Sequence, residues 1–391
     1  MAHSPRVILL IESSRAAGRA LLSGIANYAR HHGPWVFFWT AGGLQKAWAG
    51  NHSLDADGVI LRDVELVEEV LARGIPAVIV GHSRSEVPGA ANVITDSEAI
   101  SRMAAEHLIN CGFRHFAFCG LLDCSWAQLR QECFIKFIRK AGYATDSFAV
   151  RAEVTGSPWR TERASIAKWL STLPRPVGLM ACNDDVGQEV LEACKLARLS
   201  VPDDVAVIGA DNDEIVCGLA DPPMSSVAIN FERAGYEAAQ ALDALMHGGK
   251  KQGRRILVRA THVVSRRSTD IVALENPHLR RALTFIRDHP GPGISVPDVA
   301  RSAGSSRRSL ELLFRNVVGH SILSEIRRVR TERIAKLLVE TEMSVSEIAR
   351  SLGFEDAQHI ARYFRKTQTV SPLSFRKRYG RKHASLEPGR P

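Results

Sequence analysis

Long apolar runs are missing from this sequence. Nothing approaches the ~20 consecutive apolar residues that a membrane-spanning helix needs, so no membrane partner is expected. The start, MAHSPRVILLIESS, has too short an apolar stretch before Glu12 for a secretory signal. Cysteine is sparse: the seven, at 111, 119, 124, 133, 182, 194 and 217, are odd in number and never form C-x-x-C. That excludes a disulfide framework and points to reduced thiols in the cytoplasm. No Cys/His pair has zinc-ligand spacing, so no metal is expected. No G-x-G-x-x-G follows the first strand candidate and no P-loop occurs. These absences weigh against a nucleotide-dependent enzyme, and no cofactor is expected.

Acid is what the last third lacks. Residues 276–391 hold 22 Lys and Arg against 11 Asp and Glu, a net of +11. Of the chain's 51 basic and 42 acidic residues, 29 and 31 are left for 1–275, a net of −2. The basic third also carries an internal repeat. Val296, Ala300, Arg301, Ser302 and Gly304 recur 49 residues on as Val345, Ala349, Arg350, Ser351 and Gly353. Phe314, Arg315, Ser321, Leu323 and Ser324 recur 50 residues on as Phe364, Arg365, Ser371, Leu373 and Ser374. One residue is therefore inserted in the turn between the two groups. Two copies are too few for a solenoid, so each is a small unit.

Each copy reads as helix-turn-helix. A short apolar-faced helix ends at a glycine, and a serine or aspartate then opens a second helix. In the first copy Leu310, Leu313, Phe314, Val317 and Val318 form the inward stripe, and in the second Ile360, Tyr363 and Phe364 do. The outward residues of the first copy are Ser306, Arg307, Arg308, Glu311 and Arg315. Those of the second are Asp356, Gln358, His359, Arg362, Arg365 and Lys366. Exposed Arg, Gln and His on a helix suit base edges in a major groove. Glu311 fits least, because a carboxylate near DNA must find a cytosine amine or a neighbouring Arg. A helical bundle with a solvated polar face is the bland alternative; the repeat, the glycine turns and the charge weigh against it. Between the copies, Ser321–Glu340 reads as one helix of about 30 Å. That nearly matches one turn of B-DNA, about 34 Å. The paired units, this linking helix, GFEDAQHIARYFRK and SPLSFRK resemble the DNA-binding domain of the AraC/XylS transcription regulators.

The other two thirds alternate strands with amphipathic helices, which predicts parallel sheets in an open α/β fold of two lobes. Strands are expected at 6–11, 36–40, 58–61, 77–80, 92–95, 115–119, 177–182 and 205–209. Ligands of such folds bind beyond the C-terminal strand ends. Polar clusters follow several of them: Glu12, Ser13, Ser14, Arg15 and Arg19; Arg62 and Asp63; Asn183, Asp184 and Asp185; Asp211, Asn212 and Asp213. A further loop carries Trp126 and Arg130. Carboxylates, amides and guanidinium groups beside an aromatic ring suit a polyhydroxylated ligand. Ser13, Ser14 and Asp185 could equally be helix caps, and Trp126 could be surface or core. The run at 211–213 hints at calcium, but the other ligands of an EF-hand loop are absent.

MACNDDVGQEVLEACKLARLSVPDDVAVIGADND and DPPMSSVAIN resemble the effector domain of LacI-type repressors, which is similar to periplasmic sugar-binding proteins. The resemblance implies a sugar-binding role for Arg130 and Asp211, with Asn183 or Asp184 as a further polar contact. A LacI-type sensor followed by an AraC-type reader is similar to the regulators of xylose operons. That implies D-xylose or a related pentose as effector, operator DNA and RNA polymerase as partners, a homodimer, and activation of a sugar catabolic operon.

The expected fold is thus an α/β two-lobed, periplasmic-binding-protein-like sensor (1–272), a linker (273–280) and an all-α domain with two helix-turn-helix units (281–391). Lobe crossovers are expected near Ile94–Glu98, Ser225–Glu232 and Val258–Val263. Two competing functions are a sugar-metabolising α/β enzyme and a transport-type sugar-binding protein. Acidic pairs such as Asp184 and Asp185 could do acid–base work, but nothing marks them as more than ligand contacts. The basic C-terminal third suits neither alternative.

Overall fold

The structure, a computed structural model, describes residues 4–39, 56–62, 67–81, 86–151, 159–249, 254–270, 276–291, 293–318 and 320–380. Asp63 and residues 273–275 of the expected linker lie outside them.

The sensor holds two six-stranded sheets. The first lobe contains β1 (Arg6–Leu10), β2 (Val36–Trp39), β3 (Gly58–Arg62), β4 (Ala77–Val80), β5 (Ala91–Thr95) and β11 (Arg255–Val258), in the order β11-β5-β4-β3-β1-β2. The second contains β6 (His115–Leu121), β7 (Thr145–Val150), β8 (Val177–Ala181), β9 (Val205–Asp211), β10 (Ser225–Ile229) and β12 (Ala260–Val264), in the order β12-β10-β9-β8-β6-β7. All pairings are parallel except β10 with β12. Strands buried on both faces need unbroken apolar runs rather than alternation, and Val7–Leu10 and Val177–Ala181 are such runs.

Helices cover both faces: α1 (Ala16–His32), α2 (Val67–Ala72), α3 (Ser97–Asn110), α4 (Ser125–Lys140), α5 (Trp159–Leu170), α6 (Asp184–Leu196), α7 (Glu214–Leu219) and α8 (Phe231–Met246). The chain changes lobe three times: between β5 and α3, between β10 and α8, and between β11 and β12. The crossings are stitched together. Asp96 N–H donates to the Val258 carbonyl at 2.9 Å, and Asn230 N–H to that of Arg259 at 3.0 Å. Both side chains also cap the helix that follows.

The C-terminal part is all helical: α9 (Pro277–Asp288), α10 (Val296–Ala303), α11 (Arg307–Leu313, running into a π-helical turn over Phe314–Val318), α12 (Ile322–Glu340), α13 (Val345–Ser351), α14 (Ala357–Gln368) and α15 (Pro372–Tyr379). Helix α9 starts inside the stretch read as linker, because Asn276 caps it, Pro277 occupies its first turn and Leu279 packs into the first helical core. There are two such cores. Ile322 and Ile326 of α12 belong to the first, and Ile334, Ala335, Leu338 and Val339 to the second. The linking helix is therefore shared between the units. Gly304 and Gly353 end the first helix of each unit at φ +64° and +78°, the left-handed region that glycine enters without strain. The inserted residue lies just after, within Phe354–Glu355. Phe354 is buried and sits edge-on against His359 and Tyr363.

Candidate functional site

The C-terminal strand ends of both lobes face each other across a cavity of about 260 Å³. Glu12 and Arg15 come to it from the end of β1, Arg62 from β3 and Thr95 from β5. Trp126 and Arg130 come from α4, Asn183, Asp184 and Asp185 from the start of α6, and Asp211 from β9.

Arg130 is only 2 % exposed. One Nη donates to the Cys182 carbonyl, the other lies 3.7 Å from Asp211 Oδ1, and the guanidinium carbon sits 4.7 Å from the centre of the Trp126 ring. The arginine backbone is fixed in turn, because Ser101 Oγ donates to its carbonyl at 2.8 Å. Asp211 adopts φ +104° and Asn212 +53°. A non-glycine residue there is strained, and such strain collects at functional sites. Burial pushes the Asp211 carboxyl up to about 6, with Arg130 and Arg62 opposing and Asp185 and Asp213 assisting. Three buried polar atoms at the cleft have no hydrogen-bond partner: Arg62 Nε, Arg130 Nε and Asp211 Oδ1. Buried polar groups are nearly always paired, so unpaired ones around a cavity call for a ligand.

Five of the sequence-predicted contacts have other work. Asp184 is 3 % exposed; its oxygens accept from Ser226 Oγ at 2.6 Å and from Asp213 N–H at 2.8 Å. Burial pushes its carboxyl well above the usual range. It also lines the cleft. Asn212 faces away: its N–H donates to Ser226 and its side-chain oxygen accepts from Arg266, both within 3.0 Å. Ser13 and Arg19 lie outside the cleft lining, with Arg19 donating to the Ser13 and Ser14 carbonyls. Asn183 lines the cleft and also caps α6, its Oδ1 accepting from Val186 N–H at 3.0 Å.

Asp185 and Asp213 belong to the polar clusters expected after strands, with a helix cap as the alternative for Asp185. Both bridge the lobes. Arg15 Nε meets Asp185 Oδ2 at 3.0 Å, and Ala16 N–H donates to Asp213 Oδ2 at 2.9 Å. Asp213 does cap α7 as well, and its engagement there and with Ala16 accounts for the 211–213 run without calcium.

In the reader, Arg307, Arg308 and Arg315 of the first unit are exposed, as are Gln358, Arg362, Arg365 and Lys366 of the second. Ser306 and Asp356 are the N-caps of α11 and α14, accepting from Ser309 and His359 N–H. Their side chains thus hold the helix start. Glu311 and His359 are half-buried, and Glu311 Oε2 and His359 Nδ1 have no hydrogen-bond partner. His359 Nδ1 is 3.7 Å from the Glu355 carboxylate.

Sensor and reader meet at the hinge. Asn230 Nδ2 donates to the Tyr379 carbonyl. His262 Nε2 lies 3.4 Å from Glu340 Oε1, and Arg287 pairs with Asp270 at 2.5 Å. Gly112, at φ +94°, lies so close to the π-helical turn that an added Cβ would stand 2.6 Å from the Val317 carbonyl. At the same junction Glu325 is buried and accepts from His320 and twice from Arg328. Burial opposes its charge, but these partners hold the carboxyl well below the usual range.

Known proteins fit this layout. Residues 105–269 match the periplasmic binding protein-like domain, and residues 299–378 match a helix-turn-helix domain. The xylose operon regulatory protein of Escherichia coli K12 is 31% identical over 385 residues, covering 95% of this chain and 96% of that protein. Its Haemophilus influenzae counterpart is 29% identical over 383 residues, covering 95% and 98%. A solved structure of the xylose-binding transcription activator xylR aligns with a TM-score of 0.62 at 30% identity, covering 97% of this chain and 99% of that one. Across the sensor, the cellobiose complex of the regulator CelR shares the fold, with a TM-score of 0.56 at 22% identity over 67% of this chain and 84% of that one.

Proposed function

The chain belongs to the family of xylose operon regulatory proteins, and from that premise we propose that it binds D-xylose or a closely related pentose between its lobes and activates a sugar catabolic operon. It is a sugar-responsive, DNA-binding transcription regulator and not an enzyme. The observation that carries the pentose reading is the set of buried atoms without a hydrogen-bond partner on Arg62, Arg130 and Asp211 around a 260 Å³ cavity. Two donors and one acceptor, with Glu12 and Arg15 nearby, match the hydroxyls of a small neutral polyol. Trp126 supplies a wall for its apolar face.

The sugar acts by favouring one inter-lobe arrangement, to the extent that it binds that arrangement better. Because Asn230 and His262 sit at the lobe crossings and touch the reader, a change in lobe angle reaches α12 and α15 directly. On the reader, α11 and α14 each enter a major groove. Arg308, Gln358 and Arg362 meet bases, with Glu311 and His359 beside them. Arg307, Arg315, Arg365 and Lys366 meet phosphate. A homodimer in the cytoplasm, placed on two repeated sites and touching RNA polymerase, completes the reading.

A thermal-shift screen of pentoses and hexoses on the full chain tests it. D-xylose at 100 times its Kd should add about 2.7 kcal/mol of stability. A hexose that shifts the melting point while every pentose is silent would overturn the pentose assignment.

A further inference from the structure

The repeat can now be aligned by structure rather than by letters. An offset of 50 superposes the N-caps Ser306 and Asp356, and the fully buried Leu310 with Ile360 and Phe314 with Phe364. In that register the outward positions pair as Arg308 with Gln358, Leu312 with Arg362 and Arg315 with Arg365. One pair is discordant: where the second unit presents an arginine, the first presents a leucine that is 54% exposed.

Among the described residues of the reader, Leu323 and Leu373 are the other exposed large apolar side chains. They are counterparts at the same offset, near the starts of α12 and α15, and so belong to the design common to both units. Leu312 has no apolar counterpart. It stands on the helix face that carries Arg308 four residues before and Arg315 three after, both exposed. No core among the described residues covers it. A partner seated on this basic face would bury it. In a major groove the apolar feature on offer is the C5-methyl group of thymine, whereas an arginine at the same place matches the two acceptors of guanine.

We propose that Leu312 is a specificity-determining residue of the first unit, seated against a thymine methyl where the second unit presents Arg362. The two units thereby read different half-sites although their folds repeat. This rests on the reading in which α11 and α14 both enter major grooves.

The test is a binding-site selection with the full-length protein, its Leu312→Ala and Leu312→Arg variants, and Arg308→Ala and Gln358→Ala as controls. The wild type should select thymine at one position, which Leu312→Arg converts to guanine; that conversion marks the first unit's half-site. Replacing this thymine by uracil removes only the methyl group. It should weaken wild-type binding about fourfold, the worth of one buried methyl-sized group, and leave Leu312→Ala unaffected. Because Leu312 is exposed, the melting temperature of both variants should match the wild type, so loss of fold does not confound the result. Uracil that is silent at every thymine of the site, while Arg308→Ala and Gln358→Ala still relax their own positions, would overturn the role of Leu312 alone. A wild-type protein that selects no sequence would overturn it together with the groove reading.

Discussion

His262 of the hinge strand β12 holds its Nε2 3.4 Å from Glu340 Oε1, near the last turn of the linking helix. The imidazole is 7 % exposed, and its Nδ1 lies 3.0 Å from Thr261 Oγ1. One residue thus belongs to a lobe crossing and to the reader's surface at once. Replacing Glu340 by Gln, or His262 by Ala, should leave sugar affinity within about twofold. The sugar-dependent change in operator affinity should shrink by roughly 1 kcal/mol, a sizeable share of the usual 1–3 kcal/mol of allosteric coupling. Calorimetry for the sugar and gel-shift titrations with and without it measure both. Full coupling in both variants would place the transmission elsewhere.

Removing Arg130 or Asp211 strikes the cleft itself. Either change to Ala leaves sugar hydroxyls unpaired and should cost about 1–3 kcal/mol of sugar affinity. DNA affinity without sugar should change little, since both residues line the cleft rather than the reader. Unchanged calorimetric affinity in both variants would remove these residues from the site.

Acid should weaken sugar binding. The Asp211 carboxyl is raised to about 6, chiefly by burial. A raised carboxyl favours the folded, unliganded protein in its protonated form; that contribution is present at low pH and lost as pH rises through about 6. Hydroxyls donating to Asp211 favour the charged form instead. Sugar binding below pH 6 must therefore expel a proton, and affinity should fall as pH drops from 7 to 5. Asp211→Asn should bind more weakly and show a flatter profile. Calorimetry at pH 5, 6 and 7 checks the slope.

At the sensor–reader junction, Glu325→Ala should destabilise the protein by about 2 kcal/mol, because it removes the charge-assisted hydrogen bonds from His320 and Arg328 and leaves the partly buried Arg328 with Glu332 alone. The reader's thermal transition should show it. A loss below about 1 kcal/mol would mean that Glu332, 2.6 Å from Arg328, suffices as its partner.

On the DNA side, Lys366→Ala should weaken binding to all sequences alike and lower the salt slope by about one unit. Gln358→Ala should instead relax one base position. Gel-shift titrations over a salt series with specific and scrambled DNA separate the two behaviours.

Sequence legibility followed the physics of each element. Both sheets were readable where strands are long and apolar, as in Val7–Leu10 and Val205–Ala210. Strand β7 was missed because half of TDSFAV is polar and its pattern is mostly exposed or half-buried, and β10, β11 and β12 because they fall in or beside stretches expected only as lobe crossovers. The reader was legible in detail because its repeat gives two copies of each signal. In the cleft, Arg130 and Asp211 stood out through resemblance. The inter-lobe pairings of Asp185 and Asp213 did not, since a cap and a cross-cleft partner are the same residue type at the same place. Asn212 was misread for the converse reason: its polar side chain follows a strand end, but Arg266, 54 residues away, claims it.

The sharing of α12 between two cores makes helix length a ruler. Ile322 and Ile326 anchor one unit to it and Ile334 and Leu338 the other, so neither unit turns without the rod between them. Each added residue would advance the second unit by 1.5 Å and swing it by about 100° around the helix axis. A single insertion near Arg333 would thus leave both units folded and facing different sides of the duplex. Four insertions would bring the second unit back to within about 40° of its face, displaced by roughly 6 Å. If both units enter major grooves as proposed, the phase between their two half-sites is set by the residue count of one helix.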